Sequence, residues 1–176
     1  ADAKVLIEFL ANTGARLQLA TGDFLTRQGE TVKRVAFLES GLLRKVRNGP
    51  RGDEFTSLFV TQGGFAVPYV SWIRGKSASE SLQALAPSSL LTFDAEKVRS
   101  FLDRHAAGAR IARRIAESLL EEQEESANAL LFQSAGERLK ALQTREPTLW
   151  KNIPRKVLAS ALGIDPSSLS RLLAKG

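Results

Sequence analysis

The sequence predicts an α+β protein: an antiparallel β-roll of jelly-roll type, then one long helix, then a small helical unit. Three observations carry this. From Leu17 to about Phe93, short apolar runs alternate with turn signals at the spacing of an antiparallel sandwich or barrel. From Asp94 to about Gln133 helix formers dominate, and Ile111, Ile115 and Leu119 recur every four residues. From Pro154 to Lys175, two short apolar-faced segments flank Gly163.

In chain order, Val5, Leu6, Phe9 and Leu10 have helical spacing, so residues 1 to about 15 read as a short amphipathic helix. The strand candidates are Leu17-Gln18-Leu19, Val35 to Leu38, Leu42 to Val46, Phe55 to Val60 and Leu90 to Phe93. Between them lie Thr21-Gly22-Asp23, Gln28-Gly29-Glu30, Ser40-Gly41 and the run Asn48 to Asp53, all turn formers. Asp94-Ala95-Glu96 reads as a helix N-terminus. Ala112, Ala116, Leu120, Ala127 and Leu130 widen the stripe of the helix that follows, and Glu121 to Glu125 form its solvated face. A helix this long outgrows a small domain. Its stripe is expected to pack on its own β-domain or on a twin helix across a dimer axis. Ala135 to Thr144 forms another helix, stopped by Glu146-Pro147; Leu149, Trp150 and Ile153 supply core, and Pro154 opens the next helix. The expected division is 1–94, a β-roll of sensor type; 95–133, a dimerisation helix; and 134–176, the last unit.

Composition narrows the chemistry. The 176 residues are 43% hydrophobic, enough for a sizeable core. The net charge of +6 and a sequence pI near 10.0 favour a polyanionic partner. With no cysteine, disulfides, thiol chemistry and cysteine-held metal are excluded. His105 is the sole histidine, inside the charged run Asp103-Arg104-His105, and reads as a solvated surface residue. No catalytic residue, metal or cofactor is expected. A histidine-rich metal barrel of the cupin kind, the enzymatic alternative, cannot be built from one histidine. There is neither an apolar run of about 20 residues nor a signal-peptide pattern, so a cytoplasmic location is expected.

The sharpest pattern is Pro154 to Lys175. Two helices crossing at a wide angle need a small residue where they touch, a glycine in the turn and apolar residues on the facing sides. Leu158, Ala159 and Leu162 supply the first helix; Gly163 turns the chain and Ile164 plugs the turn. Asp165 is an N-cap, Pro166 suits the first helical position, and Leu169 and Leu172 face back. This is a helix-turn-helix. Its second helix leaves Pro166, Ser167, Ser170, Arg171 and Ala174 pointing away, and the first four are the expected base-contacting residues in a major groove. Arg171 is the one long cation among them and suits a guanine edge; a phosphate contact is its competing role. Lys151, Arg155, Lys156, Ser168 and Lys175 are the expected phosphate contacts. Five cations against Asp165 alone leave residues 151–176 with a net charge of +4, where phosphate contact needs it.

With these residues the chain resembles the Crp/Fnr family of bacterial transcription regulators. The β-roll part rests on Gly22-Asp23, Gln28-Gly29-Glu30, Phe37-Leu38 and Ser40-Gly41, over a resemblance of about 150 residues. It implies a roll of cyclic-nucleotide-binding type, a dimerisation helix bearing Ile111, Ile115 and Leu119, a homodimer on double-stranded DNA, and RNA polymerase as a further partner. Two departures stand out. The family's nucleotide cassette carries Gly-Glu and, about ten residues on, Arg-Ser. Laying Gly63-Gly64-Phe65 on the cassette's start puts Val67-Pro68 and Ala78-Ser79 at those pairs. Both charged ligands are missing, so no response to cyclic AMP is expected. Arg74 and Lys76, with Ser77 and Ser79, are the candidate residues for a different anionic effector; a solvated loop is the competing reading. The second departure is that no β-hairpin wing is evident after the second helix. The alternative function is a sensor or protein-interaction module whose helix-turn-helix does not read DNA specifically.

Overall fold

Eight strands build the first part: β1 (Ala15–Leu19), β2 (Phe24–Thr26), β3 (Arg34–Ser40), β4 (Leu43–Asn48), β5 (Glu54–Val60), β6 (Phe65–Ala66), β7 (Ser81–Ala84) and β8 (Ser88–Asp94). They lie in two antiparallel four-stranded sheets, ordered β1-β8-β3-β6 and β2-β7-β4-β5. The computed structural model describes Phe9, residues 12–145, Pro147 and residues 150–174. Most of the expected N-terminal helix, Leu149 and Lys175 lie outside the described residues.

Both sheets turn alternate apolar side chains inward. Ala36, Leu38 and Leu90 from the first meet Leu43, Val60 and Leu82 from the second in one buried cluster. This is the antiparallel roll that the alternating runs predict. The five anticipated strands form, and β2, β6 and β7 join them. Between β6 and β7 stands a short helix, α1 (Tyr69–Ile73), also not anticipated.

The helix expected over residues 95–133 is two helices, α2 (Ala95–Arg104) and α3 (Gly108–Phe132). The chain turns at His105 to Ala107, and Gly108 packs against the backbone it has just left: a Cβ on Gly108 would sit 2.0 Å from Leu102 O. Asp94 caps α2 by accepting from Lys97 N at 2.9 Å. A second core cluster, including Val35, Phe93, Val98, Leu102 and Ile111, binds α2 and the start of α3 to the roll.

The remaining elements are α4 (Ala135–Arg145), a 3₁₀ turn (Trp150–Asn152), α5 (Arg155–Ala161) and α6 (Pro166–Leu173). Ser134 and Glu137 cap α4 reciprocally: Ser134 N donates to Glu137 Oε2 at 2.7 Å and Glu137 N donates to Ser134 Oγ at 3.3 Å. The bonds that the Ser134 amide and hydroxyl donate to it hold the Glu137 carboxyl below its ordinary pKa. A third cluster combines Leu139, Leu158, Ala159, Leu162 and Leu169 of this unit with Leu42 of the roll, and Phe59 and Leu85 pack against it. The helical unit thus sits on the roll rather than apart from it.

Candidate nucleic-acid interface

α5 and α6 cross over an apolar seam. Leu158, Ala159 and Leu169 are buried, Leu169 completely. Ala159 is small where the two helices meet, as the sequence pattern requires. The turn between them closes as a Schellman motif. Ile164 N donates to Ala159 O at 3.0 Å and Gly163 N donates to Ser160 O at 3.1 Å. Gly163 has φ +64°, the left-handed region that glycine enters without strain. A Cβ there would also lie 3.2 Å from Leu130 Cδ2, so the turn is seated on the end of α3.

Arg138 fastens that seat. Its Nε and Nη2 donate to Leu162 O at 3.2 and 2.5 Å, and its Nη1 donates to Ala129 O at 3.3 Å and to Gln133 O. One guanidinium thereby joins carbonyls at the C-terminal end of α3 to that of Leu162, the C-cap of α5. The negative end of a helix dipole lies at its C-terminus, so a cation is favourable there. Arg138 was not among the residues singled out from sequence; a lone arginine in an amphipathic helix has no signature without its partners.

At the N-terminus of α6, Asp165 accepts from Ser168 N at 2.9 Å, from Ser168 Oγ at 2.7 Å and from Ser167 Oγ at 2.5 Å. The Ser167 and Ser168 hydrogen bonds hold its carboxyl well below the usual carboxylate range. Ser170 Oγ donates back to Pro166 O at 3.0 Å, and Arg171 Nη2 donates to Ser168 Oγ at 3.1 Å. The serine hydroxyls of this face therefore find their acceptors locally, in Asp165 and the Pro166 carbonyl. An arginine carries five N–H donors, which leaves Arg171 the strongest donor on the face.

Pro166, Ser167, Ser170 and Arg171 are exposed, Ser168 is half-buried, and Arg155 and Lys156 are exposed at the start of α5. Lys151 lies in the 3₁₀ turn. Of the candidates, Pro166, Ser167, Ser168, Ser170 and Arg171 thus lie on α6, Arg155 and Lys156 lie on α5, and Lys175 is outside the described residues.

The other candidates sit elsewhere. Arg74, Lys76, Ser77 and Ser79 are exposed around the turn after α1. They do not line the larger cleft, which lies between β5, α3, α4 and α5. At the cassette positions, Val67 is fully buried and Ala78 is 3% exposed; both pack with Trp72 in the second core cluster. Trp72 Nε1 donates to Ala95 O at 2.9 Å, and Ser79 N donates to Ser71 Oγ at 3.0 Å. Tyr69 Oη donates to Ala112 O at 3.1 Å, tying α1 to α3; burial raises its pKa. Ile111 is buried against its own roll and Ile115 packs on the same cluster. Leu119 is half-buried. The apolar side chains that α3 leaves exposed are Leu120, Leu130, Leu131 and Phe132. His105 is exposed and stacks on Phe101. Among the described residues no three metal-ligating side chains converge, and no helix is long and apolar enough to cross a membrane.

The first part of the chain is thus a roll of two four-stranded antiparallel sheets with a short helix between β6 and β7. Residues 16–105 match the cyclic nucleotide-binding domain family, and the chain belongs to it. No curated protein matches the sequence. Among solved structures it resembles FixK2 from Bradyrhizobium japonicum, with a TM-score of 0.78 and 16% identity over 92% of this chain and 83% of that one. It also resembles CLP, the c-di-GMP responsive global regulator of Xanthomonas campestris, with a TM-score of 0.77 and 19% identity over 98% and 90% of the two chains. A CRP-family transcriptional regulator from Thermus thermophilus aligns with a TM-score of 0.67 and 20% identity over 90% and 83%. The fold is that of the Crp/Fnr transcription regulators.

Proposed function

We propose that the chain is a sequence-specific DNA-binding transcription regulator, cytoplasmic and dimeric, that does not respond to cyclic AMP. The observation that carries the reading is the exposed end of α6. Arg171 and Ser170 project from a helix locked from beneath by the fully buried Leu169. Arg155 and Lys156 flank it at the start of α5. A second helix that presents its N-terminal face, beside a first helix that bears cations, suits a major groove with phosphates on either side. In the proposed dimer the exposed Leu120 and Leu131 of α3 supply the twin contact. They are eleven residues apart, about three turns, and share a side of the helix.

Loss of nucleotide response follows from packing. The cassette positions hold Val67 and Ala78, which pack with Trp72 and carry no charge where the family has its charged ligands. Burying a charge unpaired costs several kcal/mol, against about 8 kcal/mol for an entire micromolar affinity. Small-molecule sensing, if it occurs, uses another ligand.

The test is selection of bound duplexes from a random-sequence DNA pool. Enrichment of a two-fold symmetric sequence is expected. Binding of all sequences alike would favour the protein-interaction module instead.

A further inference from the structure

β5 is the edge of its sheet, paired with β4 alone. An edge strand leaves a row of backbone N–H and C=O groups without ladder partners. Glu54 O and Thr56 N are two residues apart and so face the same side of the strand. Ser160, on α5 of the helix-turn-helix, occupies both. Its hydroxyl donates to Glu54 O at 2.8 Å and accepts from Thr56 N at 2.8 Å. One serine thus stands in for a next strand.

The contact continues into the sheet. The Ser160 and Thr56 hydroxyls are 3.3 Å apart. Arg44, 5% exposed, donates through Nη1 to Thr56 Oγ1 at 3.3 Å, through Nη2 to Glu54 Oε2 at 2.9 Å and through Nε to Gln83 Oε1 at 2.9 Å. Gln83 Nε2 donates to Gly22 O at 3.2 Å. A polar line therefore crosses β7, β4 and β5 and ends on α5. Beside it Leu42, Phe59 and Leu85 share an apolar cluster with Leu158 and Leu162. The apolar contacts hold the unit to the roll but tolerate sliding; hydrogen bonds to defined backbone atoms do not.

We propose that Ser160 is a positioning residue: it sets the register of the helix-turn-helix on the edge of the roll and so fixes where α6 stands. Its consequence for DNA rests on the regulator reading above. In a dimer the two rolls would then dictate the distance between the two α6 helices. The Ser160 hydroxyl bonds to Glu54 and Thr56 and to no DNA candidate residue, so its loss leaves contact with a single half-site intact and loosens the spacing of the pair.

Hydrogen exchange of the full chain tests the register directly. In Ser160→Ala the Thr56 amide exchanges about tenfold faster than in the parent, and Ser160→Thr, which keeps a hydroxyl, restores slow exchange. An unchanged Thr56 rate in Ser160→Ala overturns the proposal. The second arm uses the duplex that the parent enriches from a random pool, and a version with one half-site scrambled. Ser160→Ala weakens binding to the full site about three- to tenfold, the scale of one neutral hydrogen bond, and leaves the half-site affinity unchanged. Equal loss on both duplexes would make Ser160 a support within the DNA-binding unit itself. A gain on the full site would make the contact a restraint on binding. Either result overturns the spacing role. If the parent enriches no sequence, the regulator reading fails, while Thr56 exchange still decides the register.

Discussion

Arg171 leaves α6 beyond its first turn, with one N–H engaged by Ser168 Oγ and the rest of its fork turned outward on an exposed side chain. That geometry suits a bidentate guanine contact. Arg171→Ala is expected to cost about 1–3 kcal/mol on the selected site and to relax preference at one base pair per half-site. Lys156 lies at the start of α5, which in the proposed complex crosses the DNA backbone. Lys156→Ala is expected to weaken selected and random duplexes alike and to reduce the salt slope by about one unit per phosphate contact. Competition against random duplex separates the two; equal losses for Arg171→Ala would reassign it to phosphate. Leu169 has no exposed surface, so Leu169→Ala should cost about 2–5 kcal/mol of stability, measured as a lowered denaturant midpoint. The positions of Leu158, Ala159, Gly163 and Leu169 were legible in the sequence because bihelical packing is local and sterically strict. The bonds of Ser167 and Ser168 to Asp165 and of Ser170 to Pro166 O were not, because a serine hydroxyl chooses among partners only once the helix exists.

At the scale of elements, α6 depends on its cap. Asp165 has its folded pKa lowered by Ser167 and Ser168. The sign is that of a carboxylate favoured by folding: its contribution is fully present above the ordinary carboxylate range and is lost as pH falls through the lowered folded value. The helix-turn-helix should therefore keep the Ser168 amide protected from neutral pH down through about pH 4, followed by amide chemical shifts in an acid titration. Loss of that protection near neutrality would exclude the cap as its cause. The turn is equally constrained. Gly163→Ala places a Cβ at φ +64°, 3.2 Å from Leu130 Cδ2, and is expected to destabilise by roughly 1–2 kcal/mol from backbone strain alone. Other elements escaped the sequence. β2 has three residues and β6 has two, too short for alternation to register. The break between α2 and α3 lies in a run of helix formers, and the turn there admits only glycine at 108, where a Cβ would meet Leu102 O at 2.0 Å. The capping box at Ser134 and Glu137 was written in the sequence and went unread.

At the scale of the molecule, the proposed dimer would place two α6 helices on half-sites about one helical turn apart, roughly 34 Å. Sedimentation should give a dimer at micromolar concentration; a monomer both with and without DNA would remove the proposed dimer. Ile111 and Ile115 are spent on the protomer's own core, so Leu120→Glu, on an exposed position of α3, should shift the sedimenting species toward monomer without unfolding the roll. Calorimetry with cyclic AMP and cyclic GMP should show no micromolar binding to a cassette packed with Val67, Trp72 and Ala78. A micromolar dissociation constant would mean that the roll opens at that point.

The sequence by itself determined the order of roll, helices and helix-turn-helix, because strand alternation, helical periodicity and turn glycines are local constraints. It also placed the charge of residues 151–176, since residue identity alone decides it. Only the tertiary structure decided which partner each apolar stripe takes: Ile111 faces the roll, while Leu120 and Leu131 face solvent. It also decided that Arg138 clamps α5 to α3 and that Ser160 seats α5 on β5. Ser160 and Glu54 are 106 residues apart in the chain. Hydrogen bonds over such separations depend on where rigid elements come to rest against one another, and that placement leaves no periodic trace in the sequence.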